Sequence, residues 1–393
     1  MNTRSPAPTR RLRIAVLNRT FSPSGGGAER YSIALVEALA QRHDIHVFAQ
    51  HIQQAWTGVI YHPVFLPFAR PRWINQLWFA LATWWATRRG FDVVHSHENT
   101  WHGQVQTVHV VPVKHSLFHG LKGWRKGLRW LKVMTSPRLL TYLALEYFRY
   151  AAGQGRCVVV TSDSLKAVMA SAYPATATVV VPPGVARIAD PVDADIRRQA
   201  RVAMGLPLEG RCVLFVGNDY RKKGLPTLVE ALRTLPKDCY VAVVGNAAQI
   251  PAFRAAFLHS DTAERVHFVG ALNDVDVAYR AADCLAHPTL EDTFAMVVLE
   301  ALAHGLPVVV SSARFCGIAG SLRDGQNALI LDDPRDAQAL AAALVRVLDD
   351  ADTRQRLCRG GVCFAQTCLW SQIALEQDRI YAAVALCTPP SGL

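Results

Sequence analysis

The chain has 393 residues, 51% of them hydrophobic and 19% charged, more than one hydrophobic core usually serves, so two domains are expected. No apolar run approaches the ~20 residues of a spanning helix, and the basic start from Met1 to Arg13 leads only into Ile14-Ala15-Val16-Leu17, too short for a signal-peptide core, which argues against a membrane-spanning or exported chain and for a cytoplasmic one. The net charge of +11 is uneven: residues 1–185 carry 21 Lys+Arg against 7 Asp+Glu, residues 186–393 carry 21 against 24, and eight of nine tryptophans lie in the first part, an interaction signal.

The first predicted element is a buried strand from Arg13 to Leu17. A loop follows, Ser24-Gly25-Gly26-Gly27, and then a helix beginning near Ala28. Small residues at such a place let backbone approach a ligand at a helix N-terminus. A dinucleotide site would instead show Gly-x-Gly-x-x-Gly and an acid closing the second strand, but Ile45–Ala49 ends in Gln50. A nicotinamide cofactor is therefore not expected. Residues 51–90 hold Trp73, Trp78, Phe79, Trp84 and Trp85 between Arg70, Arg72, Arg88 and Arg89, read as a helix packed on the sheet. The strand Phe91–His97 places His95 and His97 on one side, a possible metal pair, yet apart from Glu98 no acid or cysteine cluster joins it and no metal is expected.

Between Lys114 and Lys132 stand six Lys/Arg and no acid. Leu117, Leu121, Trp124, Leu128 and Leu131 recur there at helical spacing. A helix with Lys122, Trp124, Arg125, Lys126, Arg129 and Trp130 on it suits the headgroup region of an anionic bilayer or a lipid-linked acceptor. Nucleic acid is the weighed rival, since Trp and Arg also stack bases, and packing on the domain is the plain alternative; no nucleic-acid partner is expected. Strands at Cys157–Ser162 and Thr178–Val181 close the first domain at 1–185, and Ala186–Asp195 reads as a linker.

The second domain, 196–369, restarts with the strand Arg211–Gly217, then Asn218-Asp219-Tyr220-Arg221-Lys222-Lys223-Gly224. Strand, glycine, basic cluster and helix is the order a diphosphate requires. Strands ending in Gly245 and Gly270 follow, with Leu272 in the next loop. Asp274-x-Asp276 reads as a helix cap. From Ala286 to Val310 the pattern is loop, helix and buried strand: Asp292 or Thr293 caps a helix, Phe294, Val297, Val298, Ala301 and Leu302 share a face, and Gly305 with Pro307 ends it. At ~1.5 Å per residue Asp292 and Glu300 lie roughly 12 Å apart, about the span from hexose to ribose in a nucleotide sugar, with first-turn amides between them for the anion. Helices are predicted at Pro334–Asp350 and Trp370–Leu386. Nine scattered cysteines read as reduced core residues, and Cys358, Cys363 and Cys368 lack the close pairing of a zinc site.

Asp292-Thr293-Phe294-Ala295, Leu299-Glu300-Ala301 and Gly305-Leu306-Pro307-Val308 together resemble the Glu-x7-Glu signature of retaining glycosyltransferases with two Rossmann-like domains, the GT-B fold of family 4 / group 1. Asp292 stands for the first Glu and Ala295 for the usual Gly. Gly26-Gly27-Ala28-Glu29-Arg30, Asp92-Val93-Val94-His95, Thr107-Val108-His109 and Lys222-Lys223-Gly224 are similar to further motifs of that family, although Asn218 replaces its arginine and Pro183 its asparagine. The resemblance implies an α/β fold of two doubly wound domains, with the last helix, 370–387, returning to the first. It implies a hexosyltransferase using a nucleotide-diphosphate sugar, UDP-glucose most commonly, with retention and without cofactor or metal. Carried over, Asp292 and His109 contact the donor sugar, Glu300 the ribose, Lys222 and Lys223 the diphosphate, Gly26, Gly27, Gly217 and Gly245 the ligand-facing turns, Thr293, Phe294 and Ala295 the anion, and Leu272 the base. The basic insertion resembles that of lipopolysaccharide-core glucosyltransferases, which implies a cytoplasmic protein peripheral to the inner face of the cytoplasmic membrane. A nucleotide-sugar epimerase on the same fold and a degenerate membrane- or polyanion-binding protein are the alternatives.

Overall fold

The computed structural model describes residues 10–22, 26–53, 55–68, 70–257 and 260–387; Ser24 and Gly25 of the first glycine loop lie outside them. The chain forms two compact units. One runs to Pro183 and takes in the C-terminal helix from Trp370, and the other spans Gly184–Leu369.

In the first unit the elements are β1 (Arg13–Leu17), β2 (Thr20–Phe21), α1 (Gly27–Leu39), β3 (Asp44–Ala49), β4 (His51–Ile52), β5 (Val59–Pro63), α2 (Arg72–Thr87), β6 (Val93–Ser96), β7 (Val105–Val108), α3 (Val113–Phe118), α4 (Gly123–Met134), α5 (Pro137–Arg149), β8 (Cys157–Val160), α6 (Asp163–Ala172) and β9 (Thr178–Val180). The seven-stranded sheet is parallel in the order β5-β3-β1-β6-β7-β8-β9, with β2 and β4 paired beside it. Its strands are short apolar runs because helices cover both faces. Ile14, Val16, Ile45 and Val47 join Tyr31, Leu35 and Val36 of α1 and Trp370, Ile373, Tyr381 and Val384 of the C-terminal helix in one core.

Two expectations for this unit are corrected. The basic amphipathic segment is two helices, not one, because left-handed Gly120 and Gly123 turn the chain between α3 and α4. Of the aromatic residues of α2, Phe79 packs on the sheet with Leu17, Phe48 and Val94 as expected, but three of the tryptophans do not. That helix buries Asn75, Gln76, Phe79, Ala80, Thr83 and Thr87, while Trp78, Trp84 and Trp85 are exposed.

The second unit contains α7 (Ala194–Ala203), β10 (Arg211–Gly217), α8 (Leu225–Leu232), β11 (Cys239–Gly245), α9 (Ile250–Phe257), β12 (Val266–Gly270), α10 (Asp276–Ala281), β13 (Cys284–His287), α11 (Met296–Ala303), β14 (Val308–Ser311), β15 (Leu329–Leu331), α12 (Ala337–Asp349) and α13 (Ala351–Gln366). Its six strands are parallel in the order β12-β11-β10-β13-β14-β15. Both sheets are thus Rossmann-like, and in the second the order reverses between β10 and β13. Ligands of such sheets bind outside the carboxyl ends of the strands at that reversal. The helix α13 was not expected. Its buried side is Thr353, Leu357, Gly361 and Ala365, too small and mixed to give a clear apolar period, and Asp350 starts it by accepting from the Asp352 and Thr353 amides.

Candidate functional site

At the carboxyl ends of β10 and β13, two loops of the second unit are fastened to each other. Leu290 N donates to Lys222 O at 2.8 Å. Gly224, with φ +84°, opens α8 so close to the other loop that a Cβ on it would lie 1.9 Å from Pro288 O. Gly245 is as constrained, since a Cβ there would lie 1.9 Å from Gly217 O. These glycines serve backbone-on-backbone packing, and Gly217 with Gly245 therefore shapes the strand ends, a role the expected ligand approach did not include.

The fastened loops set the charged groups. Lys223 Nζ pairs with Asp292 Oδ2 and lies 3.3 Å from Glu291 O. Lys222 Nζ pairs with Glu291 Oε1 at 3.1 Å. Asp292 was expected at the mouth of the helix, on its axis. Instead α11 begins at Met296, and Asp292 holds the preceding loop: its Oδ1 accepts from Phe294 N at 3.3 Å and Ala295 N at 2.9 Å. Ala295, at the place where the resemblance leads to glycine, is left-handed with φ 75°, alone among the described non-glycine residues. Phe294 is buried in the core, so its side chain is a packing residue and not a ligand contact. Thr293 is half-buried beside it.

Sequence reasoning gave His287 no role. It is fully buried, and its Nε2 lies 3.3 Å from Asp292 Oδ2. Burial lowers its pKa and outweighs the raising effect of Asp292, so the ring is neutral and Nε2–H donates. Its Nδ1 finds no hydrogen-bond partner among the described residues. Burial alone would raise the Asp292 carboxyl, but the hydrogen bond from His287 and the charge of Lys223 hold it well below the usual carboxylate range. The side chains of Lys223 and Asp292 remain 20% and 16% exposed, so a ligand can reach the pair. The visible signal for His287 was a histidine closing an otherwise apolar strand.

On α11, Glu300 Oε2 accepts a hydrogen bond from Tyr279 Oη at 2.7 Å. The Tyr279 ring lies 4.9 Å from that of His304, whose Nδ1–H donates to Glu300 O at 2.8 Å. Tyr279, from α10, is a second residue the sequence did not single out. Leu272 is half-buried against the core, so the structure gives it a packing contact. Asp274, expected as a cap, lies one residue ahead of the N-cap Val275, which has no side-chain cap, and accepts from Asp276 N at 3.0 Å in an Asx turn.

In the first unit, Gly26 and Gly27 form the N-terminus of α1, which has no side-chain cap. His109 follows β7, and its Nε2 lies 3.0 Å from His97 Nδ1. Burial, then Arg149, lowers the His109 pKa to about 3. His95 sits between Tyr381 Oη at 2.6 Å and Thr107 Oγ1 at 2.7 Å. Among the described residues no group of three or more His, Cys, Asp or Glu is arranged to hold a metal. On α4, Val133 alone is buried. Trp124, Leu128 and Leu131 form an exposed apolar stripe, Trp124 at 71%, and Trp130 is exposed too; Lys122, Arg125 and Lys126 are exposed and Arg129 half-buried. Among the described residues no helix is long and apolar enough to cross a membrane.

Residues 25–187 match the family model described as Glycosyltransferase Family 4, and residues 210–350 match that described as Glycosyl transferases group 1. The chain is 28% identical over 221 residues to a D-inositol 3-phosphate glycosyltransferase of Corynebacterium glutamicum, covering 53% of this chain and 52% of that protein. To the lipopolysaccharide glucosyltransferase WaaG of Escherichia coli it is 29% identical over 167 residues, covering 42% and 44%. The chain thus spans about half the length of the curated relatives it matches. Among solved structures, WaaG gives a TM-score of 0.79 at 21% identity over 93% of this chain and 99% of that one. Anabaena Alr3699/HepE in complex with UDP-glucose gives 0.73 at 18% identity over 94% and 98%. Both share the two-domain fold.

Proposed function

Because the chain belongs to the group 1 and family 4 glycosyltransferases, we propose that it moves a hexose from a nucleotide-diphosphate sugar, of the UDP-glucose type, to a hydroxyl of a lipid-linked or cell-surface glycan, with retention. The observation that carries this reading is the assembly of Lys223, Asp292 and His287 where β10 and β13 end, with Glu300 on the helix that follows. Lys222 and Lys223 face the diphosphate, and their charge counters the negative charge that grows on it as the glycosidic bond breaks. Stabilising charge that appears only in the transition state is what raises the rate. Asp292 and the neutral His287 keep the Lys223 ammonium in place. Glu300, held by Tyr279, accepts from the ribose hydroxyls, and His109 belongs to the sugar side of the reaction. Complexes of similar structures with UDP-glucose support the donor class, and the WaaG relative supports the acceptor class.

These cations do for the leaving group what a metal does elsewhere, so chelation with EDTA leaves the rate unchanged. Calorimetric titration with UDP and UDP-glucose tests the site: wild type binds and Glu300→Ala binds at least tenfold more weakly. Equal binding by both, or by neither, rejects the reading. A panel of lipid-linked glycans and phosphorylated inositols then identifies the acceptor, and turnover of donor without any acceptor would favour the epimerase. The exposed stripe of α4 with its cations docks the protein on the inner face of the cytoplasmic membrane.

A further inference from the structure

Two helices of the first unit bury polar side chains and expose apolar ones. The helix α2 turns Asn75, Gln76, Thr83 and Thr87 inward together with Phe79 and Ala80. Asn75 and Gln50 exchange hydrogen bonds at 2.8 and 3.0 Å, and Gln76 Nε2 donates to Asn99 O at 2.9 Å. Outward it shows Leu77, Trp78, Leu81, Trp84 and Trp85, the last 61% exposed. The helix α5 buries Glu146 and Arg149, which bond to Lys114 N at 3.1 Å and to Thr107 O at 2.6 Å, and shows Leu140, Tyr147 and Phe148 outward. Where they meet lies a groove of about 520 Å3 lined by Leu77, Trp101, Leu140, Ala144, Leu145 and Phe148, with Thr141 its one polar side chain. That volume is in the range of small-molecule sites, ~300–1,000 Å3.

The surroundings say what sort of molecule fits. From His51 to Arg149, the end of α5, the chain has 12 Lys+Arg and three acids, Asp92, Glu98 and Glu146. Asp92 pairs with Arg10 and Glu98 with Arg19, and buried Glu146 accepts from the Val113 and Lys114 amides, which leaves the cations in excess. Arg88 stands 3.6 Å over the Trp85 ring, and Arg138 is exposed at the start of α5. An apolar slot in a stretch of chain with net positive charge complements a lipid with an anionic head. We propose that the α2–α5 groove takes one acyl chain of an anionic lipid, lifted out of the bilayer surface on which the protein rests. The proposal rests on the membrane docking assigned to α4, and the two are separable because they use different helices.

The full chain is titrated by calorimetry with monomeric dihexanoyl phosphatidylglycerol and, separately, with glycerophosphoglycerol, its headgroup alone. The lipid binds wild type and the headgroup does not. Ala144→Trp, which fills the slot from an exposed position on α5, weakens lipid binding at least tenfold while co-sedimentation with phosphatidylglycerol vesicles persists. Leu77→Gln, on the other helix, weakens it as well and guards against a distorted α5. Charge reversal of Lys122, Arg125, Lys126 and Arg129 shows the opposite pattern, with vesicle binding lost and monomer binding within twofold of wild type. Lipid binding unchanged in both groove variants, equal binding of the headgroup alone, or no binding by wild type overturns the proposal. A concentration-dependent dimer that Ala144→Trp dissociates, without lipid binding, assigns the face to a second copy and overturns it too.

Discussion

One methylene separates Asp292 from the glutamate that the family signature leads one to expect, and it decides where the carboxylate rests. Short and close to its own backbone, Asp292 accepts from the Phe294 and Ala295 amides while pairing with Lys223 and His287. Its replacement by asparagine leaves the Lys223 ammonium without its counter-charge, and breaking such a mostly buried pair costs about 3 kcal/mol. Asp292→Asn should therefore lower the midpoint of urea unfolding as well as activity. Ala295 makes the converse case. A left-handed alanine is strained by ~1–2 kcal/mol, so Ala295→Gly should leave stability unchanged or raise it, where glycine in an ordinary helix would lower it; a thermal melt distinguishes the two. At Tyr279 the expected change is in binding. Tyr279→Phe removes a hydrogen bond worth ~0.5–1.5 kcal/mol, raising KM for the nucleotide sugar about 2- to 10-fold with kcat kept. Glu300→Ala should abolish the effect of adding Tyr279→Phe, which a merely structural tyrosine would not show.

Strands and their order of appearance could be read along the chain because parallel strands covered on both faces are unbroken apolar runs, as in Cys157–Val160 and Val308–Ser311. The turn glycines, the lysines and the two acids could be read as well, since each has a spacing. What could not be read was which side of a helix faces in. The helix α2 turns its leucines and most of its tryptophans outward and buries amides and hydroxyls beside Phe79 and Ala80, because Gln50 and Asn99 O take up the amides and the helix's own carbonyls take up the hydroxyls. His287 and Tyr279 escaped for another reason: each acts through a neighbour distant in sequence or hidden by a loop, Tyr279 reaching Glu300 from α10. The break within the basic segment turned on Gly120 and Gly123, whose left-handed backbone stops a stripe that composition alone would carry through. At this scale Gly224→Ala should be severe. Its Cβ would strike Pro288 O, separating the loop of Lys222 and Lys223 from that of Asp292, so both Tm and UDP binding should fall together.

The two units should part company in acid. Burial lowers the pKa of His95 and His109 to about 3 from the ordinary 6.5, and that of His97 well below it. Unfolded, these rings would protonate near pH 6.5; folded, His95 and His109 stay neutral until about pH 3 and His97 until well below 6.5. Each therefore contributes stability that is present above pH 6.5 and is lost as pH falls through that window, by up to about 1.4 kcal/mol per pH unit. In the second unit His287 has the same sign, whereas the depressed carboxyl of Asp292 costs stability only once pH falls below its ordinary value of 3.8. Tryptophan fluorescence, carried by the first unit, which holds all nine tryptophans, should accordingly report unfolding at a higher pH than hydrogen exchange in β10 and β11.

The C-terminal helix makes the earlier part of the chain wait for the later. Trp370, Ile373, Ile380, Tyr381 and Val384 complete the core around β1 and α1, and at ~1.5–3 kcal/mol for each large side chain their contribution rivals the ~5–15 kcal/mol that holds a domain together. A ribosome making this protein releases a finished second unit before the first can close, although the first was synthesised earlier. A stop after Leu369 should thus leave a soluble Gly184–Leu369 body attached to a nascent half that a protease degrades from the front.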